Sequence, residues 1–132
     1  MDTKPRAKVL FVCIGNACRS QMAEAFAKNL ASDKFDVYSA GEQPDRAIDL
    51  NTILVMKEKD IDISQAKTKG FSELQEQAFD YVIVMDRRVL CPFYPSKEKL
   101  YWKIDDPKGR SVDTFRKVRN KIESEVKQFI KK

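Results

Sequence analysis

The chain has 132 residues, 42% hydrophobic and 34% charged, the size and balance of one water-soluble globular domain (residues 1–132) with a core of its own. Histidine is absent, which excludes Ser-His and Cys-His dyads and makes a zinc site of three scattered cysteines a poor one, so no metal is expected. The net charge of +5 is uneven: residues 97–132 hold twelve Lys or Arg against six Asp or Glu, and without aromatic or Gly-rich interleaving this surface is read as a solvated helix face that attracts anions, not as a nucleic-acid site.

Residues 1–8 are polar and the apolar run behind them is short, so neither a signal sequence nor a membrane span is expected. Three cysteines, an odd number, fit a reducing cytoplasm better than a secreted disulfide scaffold. Residues 9–12 (VLFV) predict a buried strand, residues 13–19 a short loop, and residues 20–30 a helix with Ala23, Phe26, Ala27 and Leu30 on one face. Ser20 is placed to cap that helix, and Glu24 adds negative charge to its first turns.

Residues 35–40 (FDVYSA) predict a second strand, ended by Gly41 and Pro44. Residues 46–59 predict a second helix that draws apolar surface from Ile48, Leu50, Ile53, Leu54 and Met56. IDIS, residues 61–64, is extended or a turn, and a short helix is expected over 72–77. Residues 81–85 (YVIVM) read as a strand buried on both faces and 100–104 (LYWKI) as a fourth strand. In the last helix, 112–130, Val112, Phe115, Val118, Ile122, Val126 and Phe129 recur at steps of three and four. Strands alternating with helices predict an α/β fold: a single three-layer domain whose four-stranded parallel open sheet carries helices on both faces. Ligands in such folds bind at the carboxyl ends of the strands, where the Cys13 loop lies.

The loop itself carries chemistry. Between a strand end and a helix start, unpaired N–H groups converge at the positive end of the helix dipole and form an anion site. The backbone of Cys13, Ile14, Gly15, Asn16, Ala17, Cys18 and Arg19 is therefore the candidate oxyanion cradle. Gly15 permits close approach, and Asn16 tolerates the left-handed conformation of a tight loop. Arg19 adds a planar, permanently charged fork that matches a tetrahedral oxyanion. Cys13 lies in the same field, which favours thiolate over thiol. The loop supplies both a nucleophile and a cradle for the group it attacks.

VCIGNACRSQMAE (residues 12–24) resembles the active-site loop of the low-molecular-weight protein tyrosine phosphatases and of their relatives, the thiol-dependent arsenate reductases. VYSAG (37–41), IDIS (61–64), Cys91-Pro92 and the stretch from DDPKG to FRKVRNKI (105–122) are similar to the reductase branch. This likeness implies a flavodoxin-like, low-molecular-weight phosphatase fold, a general-acid role for Asp106, the Asp directly before Pro107, with Asp105 as the fallback, and no tightly bound cofactor. Ser20, besides capping, is placed to donate to the Cys13 sulfur. Tyr101, Trp102, Phe93 and Tyr94 flank the acid, and either wall the cleft or fill the core.

The reductases it resembles attack arsenate with the loop Cys, release arsenite by attack of a second Cys, and pass the disulfide to a third for reduction by thioredoxin. Cys91 matches the third. The second is expected seven residues earlier, at Val84, so the relay is incomplete; the segment Val84-Met85-Asp86 is similar to the phosphatase branch instead. Pairing of Cys13 with Cys91 or with Cys18, if their Cα atoms come within about 4.4–6.8 Å, or an external small thiol, would restore a path. The resemblance thus implies arsenate reduction first, with thioredoxin or a small thiol as donor. Hydrolysis of phosphotyrosine or aryl phosphates is the alternative, and a non-catalytic oxyanion-binding module the minor one. A monomer is expected.

Overall fold

The computed structural model describes residues 6–74, 78–89 and 96–131. Strand β1 (Ala7–Cys13) runs between β2 (Phe35–Gly41) and β3 (Phe79–Val84), and β4 (Ser96–Tyr101) forms one edge of a parallel sheet with the order β2-β1-β3-β4. The apolar run from Val9 to Val12 is excluded from solvent, as a central parallel strand covered on both faces requires. Cys13 pairs with Gly41 and Val12 with Val84, so β1, β2 and β3 deliver their carboxyl ends to one edge.

Side chains alternate across the sheet with period two. Val9, Phe11 and Ile83 join one core cluster, to which helices α1 (Arg19–Ala31), α2 (Leu50–Lys57) and α3 (Val112–Phe129) all contribute. Leu10, Val12, Val82 and Val84 face a second cluster with Ala40, Leu74 and Val89. The three α-helices therefore share one face. Among the described residues the opposite face is covered by Leu74 and Val89 together with a 3-10 turn, Phe71–Glu73, so the parallel sheet is flanked on each side as expected. The expected helix over 72–77 is represented only by that turn, and residues 75–77 lie outside the described ones.

Other boundaries moved for identifiable reasons. Helix α2 is shorter than 46–59 because the chain before it is tied to the loop after β1: Asp45 N–H donates to Gly15 O (2.9 Å) and Asp49 N–H to Ala17 O (3.2 Å). The Asp49 carboxylate then accepts from Asn51 N–H (2.9 Å), which sets the first turn. With that start, Thr52, Val55 and Met56 turn inward, whereas Leu50 and Leu54, expected in the core, are 80% and 45% exposed. In α1 the expected inward Leu30 is exposed and Ala31 is buried. Strand β4 begins at Ser96 and not at residue 100, since its first half pairs with β3 through exposed Lys97, Glu98 and Lys99. Edge strands carry such charges against further pairing, and they leave no apolar alternation to read. Among the described residues no helix is long and apolar enough to cross a membrane.

Candidate active site

The residues after β1 turn tightly into α1, with Asn16 in the left-handed region (φ 51°), as its residue type foretold. The N–H groups of residues 14–19 find no hydrogen-bond acceptor among the described residues. They are available to a ligand at the amino end of α1. Two glycines let this loop sit where it does. A Cβ on Gly41, across the sheet, would stand 2.5 Å from Ile14 O and 2.7 Å from Asn16 N, and one on Gly15 would stand 2.6 Å from Asp45 Oδ2. A cavity of about 40 Å³ opens on the loop, lined by Cys13, Ile14, Gly15, Ala17, Cys18 and Arg19 and, at its more exposed rim, by Asp45, Asp106 and Lys108. That is room for about three waters, the size of one tetrahedral oxyanion.

Arg19 is buried, and its guanidinium is held on two sides. Nη1 donates to Met85 O (2.8 Å) and Ile104 O (3.0 Å), past the ends of β3 and β4, and Nη2 donates to Asp86 Oδ2 (2.8 Å). One Nη2 hydrogen and Nε–H remain, a two-pronged edge matched to two oxygens of an oxyanion. Asp86 also accepts from Arg88, at Oδ1 from Nε (3.0 Å) and at Oδ2 from Nη2 (2.8 Å). Arg88, and behind it Arg19, hold the Asp86 carboxyl well below the usual carboxylate range against the burial that would raise it. Asp106 Oδ2 lies 3.6 Å from Arg19 Nη2 and 3.5 Å from Arg88 Nη2. Asp105 is exposed and does not line the cavity.

Cys13 Sγ is 2.9 Å from Ser20 Oγ. Asn16 Nδ2 donates to the same hydroxyl (2.7 Å) and to Ser39 Oγ (3.0 Å), while Asn16 Oδ1 accepts from Gln21 Nε2 (2.9 Å) and Lys69 N–H (2.8 Å). All four hydrogen-bonding positions of this buried amide are used. Ser39 Oγ in turn donates to Glu24 Oε1 (2.5 Å). Burial pushes the Glu24 carboxyl up, but Lys69, Lys28 and Ser39 outweigh it and hold the group below its ordinary value.

Two of the expected roles in α1 change. The helix begins at Arg19, with Cys18 at its cap and no side-chain cap bond, so Ser20 lies inside the first turn and does not cap it; its hydroxyl turns to the Cys13 sulfur. Glu24 falls in the second turn and serves Ser39 and the lysines instead of the helix end. Cys18 lines the cavity, yet burial pushes its thiol up to about 12. Beside it, the buried Thr52 ends in a hydroxyl with no well-directed partner among the described residues. Trp102 packs in the core against Phe11 (5.7 Å between ring centres) and Phe129 (6.2 Å), and Tyr101 faces out with the Arg87 guanidinium over its ring. Phe93, Tyr94 and Cys91 lie outside the described residues.

Asp86, Arg88, Asp45 and Lys108 belong to the site but not to the sequence-based set. Asp86 follows directly on the apolar run of β3, so its position at the carboxyl edge of the sheet was the one available signal. The other three stand in loops without periodicity.

Comparison with known proteins agrees with this geometry. Residues 8–132 match the family model described as low molecular weight phosphotyrosine protein phosphatase. Arsenate reductase 2 of Staphylococcus saprophyticus is 36% identical over 132 residues, covering 98% of each chain. A solved arsenate reductase in the phosphate-binding state superposes with a TM-score of 0.84 at 35% identity, over 94% of this chain and 96% of the other. The thioredoxin-dependent arsenate reductase of Corynebacterium glutamicum gives a TM-score of 0.80 at 29% identity, over 98% of this chain and 63% of its own. A cysteine at the floor of an amide cup, an arginine beside it with one edge left for a ligand and a match along nearly the whole chain lead to one assignment: the protein is an enzyme of the low molecular weight phosphotyrosine protein phosphatase family, on the branch of the arsenate reductases.

Proposed function

We propose that the protein reduces arsenate, with Cys13 as nucleophile. The observation that carries this reading is the cup itself: a sulfur at the floor of an oxyanion-sized cavity that Arg19 and Asp106 also line. Arsenate oxygens take the loop N–H groups and the free edge of Arg19. The Cys13 thiolate attacks arsenic, and the departing oxygen leaves as water with a proton from Asp106. A second thiolate then attacks Cys13 Sγ. The electron pair of the S–As bond stays on arsenic, As(V) becomes As(III), arsenite departs, and Cys13 is left in a disulfide that an external thiol reduces.

The source of the second thiol follows from burial. At pH 7 a thiol pushed up to about 12 is ionised in only about one molecule in 10⁵, so Cys18 is a poor attacker. Val84, where a relay cysteine would be expected, carries no thiol. Cys91 or a small external thiol remains, with thioredoxin or a small thiol as final donor. Val84 also favours the second reading, hydrolysis of phosphotyrosine or aryl phosphates through a Cys13 phosphoenzyme, for which Cys13, Arg19 and Asp106 suffice.

Cys13→Ser is expected to abolish both reactions while phosphate still binds, as read by calorimetry; full turnover by that variant ends the catalytic reading. Cys91→Ser then separates the two activities. Loss of arsenate reduction with intact aryl phosphate hydrolysis establishes a relay through Cys91. Unchanged reduction assigns the second thiol to the donor, and wild-type protein that reduces no arsenate but hydrolyses aryl phosphate is a phosphatase.

A further inference from the structure

The cavity has one wall that the chemistry above does not use. Lys108 Nζ donates to both oxygens of Asp45, at 3.1 and 3.0 Å. The pair bridges the chain leading into α2 and the chain leading into α3, and it crosses directly over Gly15, where Asp45 Oδ2 fills the space a Cβ would need. Both ends are fixed to the cup. Asp45 N–H donates to Gly15 O (2.9 Å), Thr68 Oγ1 donates to Asp45 O (2.6 Å), and Lys108 N–H donates to Asp106 Oδ1 (3.0 Å). The chain lays an ion pair over an anion cup, and a bare carboxylate there would repel the anion.

We propose that the Asp45–Lys108 pair is the specificity-determining wall of the cup, admitting a free tetrahedral oxyanion in preference to an aryl phosphomonoester. This rests on reading the cup as an oxyanion site and names its substrate class. A fully coordinated oxyanion fits in about 40 Å³, but the aryl group of an ester must leave through the mouth, where the bridged carboxylate and ammonium stand. Lys108 has a further role in the wall. An ammonium has three N–H donors; two serve Asp45, and the third is free for a ligand oxygen. The Asp45 carboxylate beside it pushes the Lys108 ammonium pKa up, so the wall keeps its charge.

Removing a lysine weakens the binding of every anion, so the readout is a ratio between two phosphate ligands. Calorimetry on the full chain carrying Cys13→Ser measures Kd for phenyl phosphate and for inorganic phosphate. Asp45→Ala with Lys108→Ala is expected to lower the phenyl phosphate to phosphate Kd ratio at least tenfold, whereas Lys108→Arg, which keeps the bridge, leaves it within twofold. Lys108→Gln alone, at an exposed position, covers the case in which the double variant does not fold, and is expected to lower the ratio severalfold. A ratio unchanged in a folded variant that still binds phosphate overturns the proposal. So does failure of phosphate to bind the unaltered chain, which removes the cup as well. A ratio that shifts as expected in a protein that reduces no arsenate keeps the wall and retires the reductase reading.

Discussion

Asn16 donates one amide hydrogen to Ser20 Oγ, so the oxygen is already an acceptor and its own proton points to the nearest remaining partner, Cys13 Sγ at 2.9 Å. Ser20 is thereby placed to donate to the sulfur from inside α1, beside an Asn16 that Ser39, Gln21 and Lys69 lock in position. Hydrogen bonds to charged groups contribute about 1.5–3 kcal/mol, and 1.4 kcal/mol is about a factor of ten. Ser20→Ala is therefore expected to slow alkylation of Cys13 by iodoacetamide about tenfold at pH 7, with the deficit closing at alkaline pH, where the hydroxyl is no longer needed to expose the thiolate. A deficit that stays constant with pH would assign Ser20 a steric role only. Glu24 stands at the far end of the same chain of contacts, through Ser39, and its charge is balanced by Lys28 and Lys69.

At the level of elements, the site is made by where strands stop. Cys13 and Gly41 are partners in the β1–β2 register, and the loop folds back over Gly41 so closely that a methyl group there would stand 2.5 Å from Ile14 O. Backbone cannot yield as a side-chain tip can, so Gly41→Ala is expected to lower stability by about 1–3 kcal/mol and to weaken phosphate binding, measured by urea unfolding and calorimetry on the same sample. Phosphate affinity unchanged in a destabilised variant would show that the loop moves without cost to the cup. Much of this was legible in the residues: the apolar runs gave β1, β2 and β3 but only the last two residues of β4, the i, i+3, i+4 pattern gave α3, and Cys13 to Arg19 with Gly15 and Asn16 gave the loop. The failures share a cause. The chain before α2, the start of β4 and the Asp45–Lys108 wall are set by hydrogen bonds between segments far apart in sequence, and such bonds leave no periodicity. Ser20 was legible in half: of its two expected roles the contact with the Cys13 sulfur is made and the helix cap is not.

Across the whole molecule, one buried carboxylate ties the site together. Asp86, beyond β3, meets Arg19 from α1 and Arg88 from its own loop, and both guanidinium groups reach on to Asp106 after β4. Arg88 and Arg19 lower the Asp86 pKa in the folded chain, so the unfolded chain takes up that proton at a higher pH than the folded one. The contribution of Asp86 to stability is complete above about pH 5 and fades as the pH falls through the ordinary carboxylate range near about 3.9 toward the depressed folded value. Asp86→Asn keeps the shape and loses the charge, leaving the buried Arg19 without its counter-ion. At pH 7 it is expected to cost about 2–3 kcal/mol in urea unfolding, and the difference from the unaltered protein should narrow steadily below pH 4, because there the wild-type carboxylate begins to lose the same advantage. A difference that does not vary between pH 7 and pH 3 would mean that Asp86 acts through its shape alone. The same variant should weaken phosphate binding several-fold at pH 7, since the Arg19 edge that faces the cup is aimed by the bond from Nη2 to Asp86.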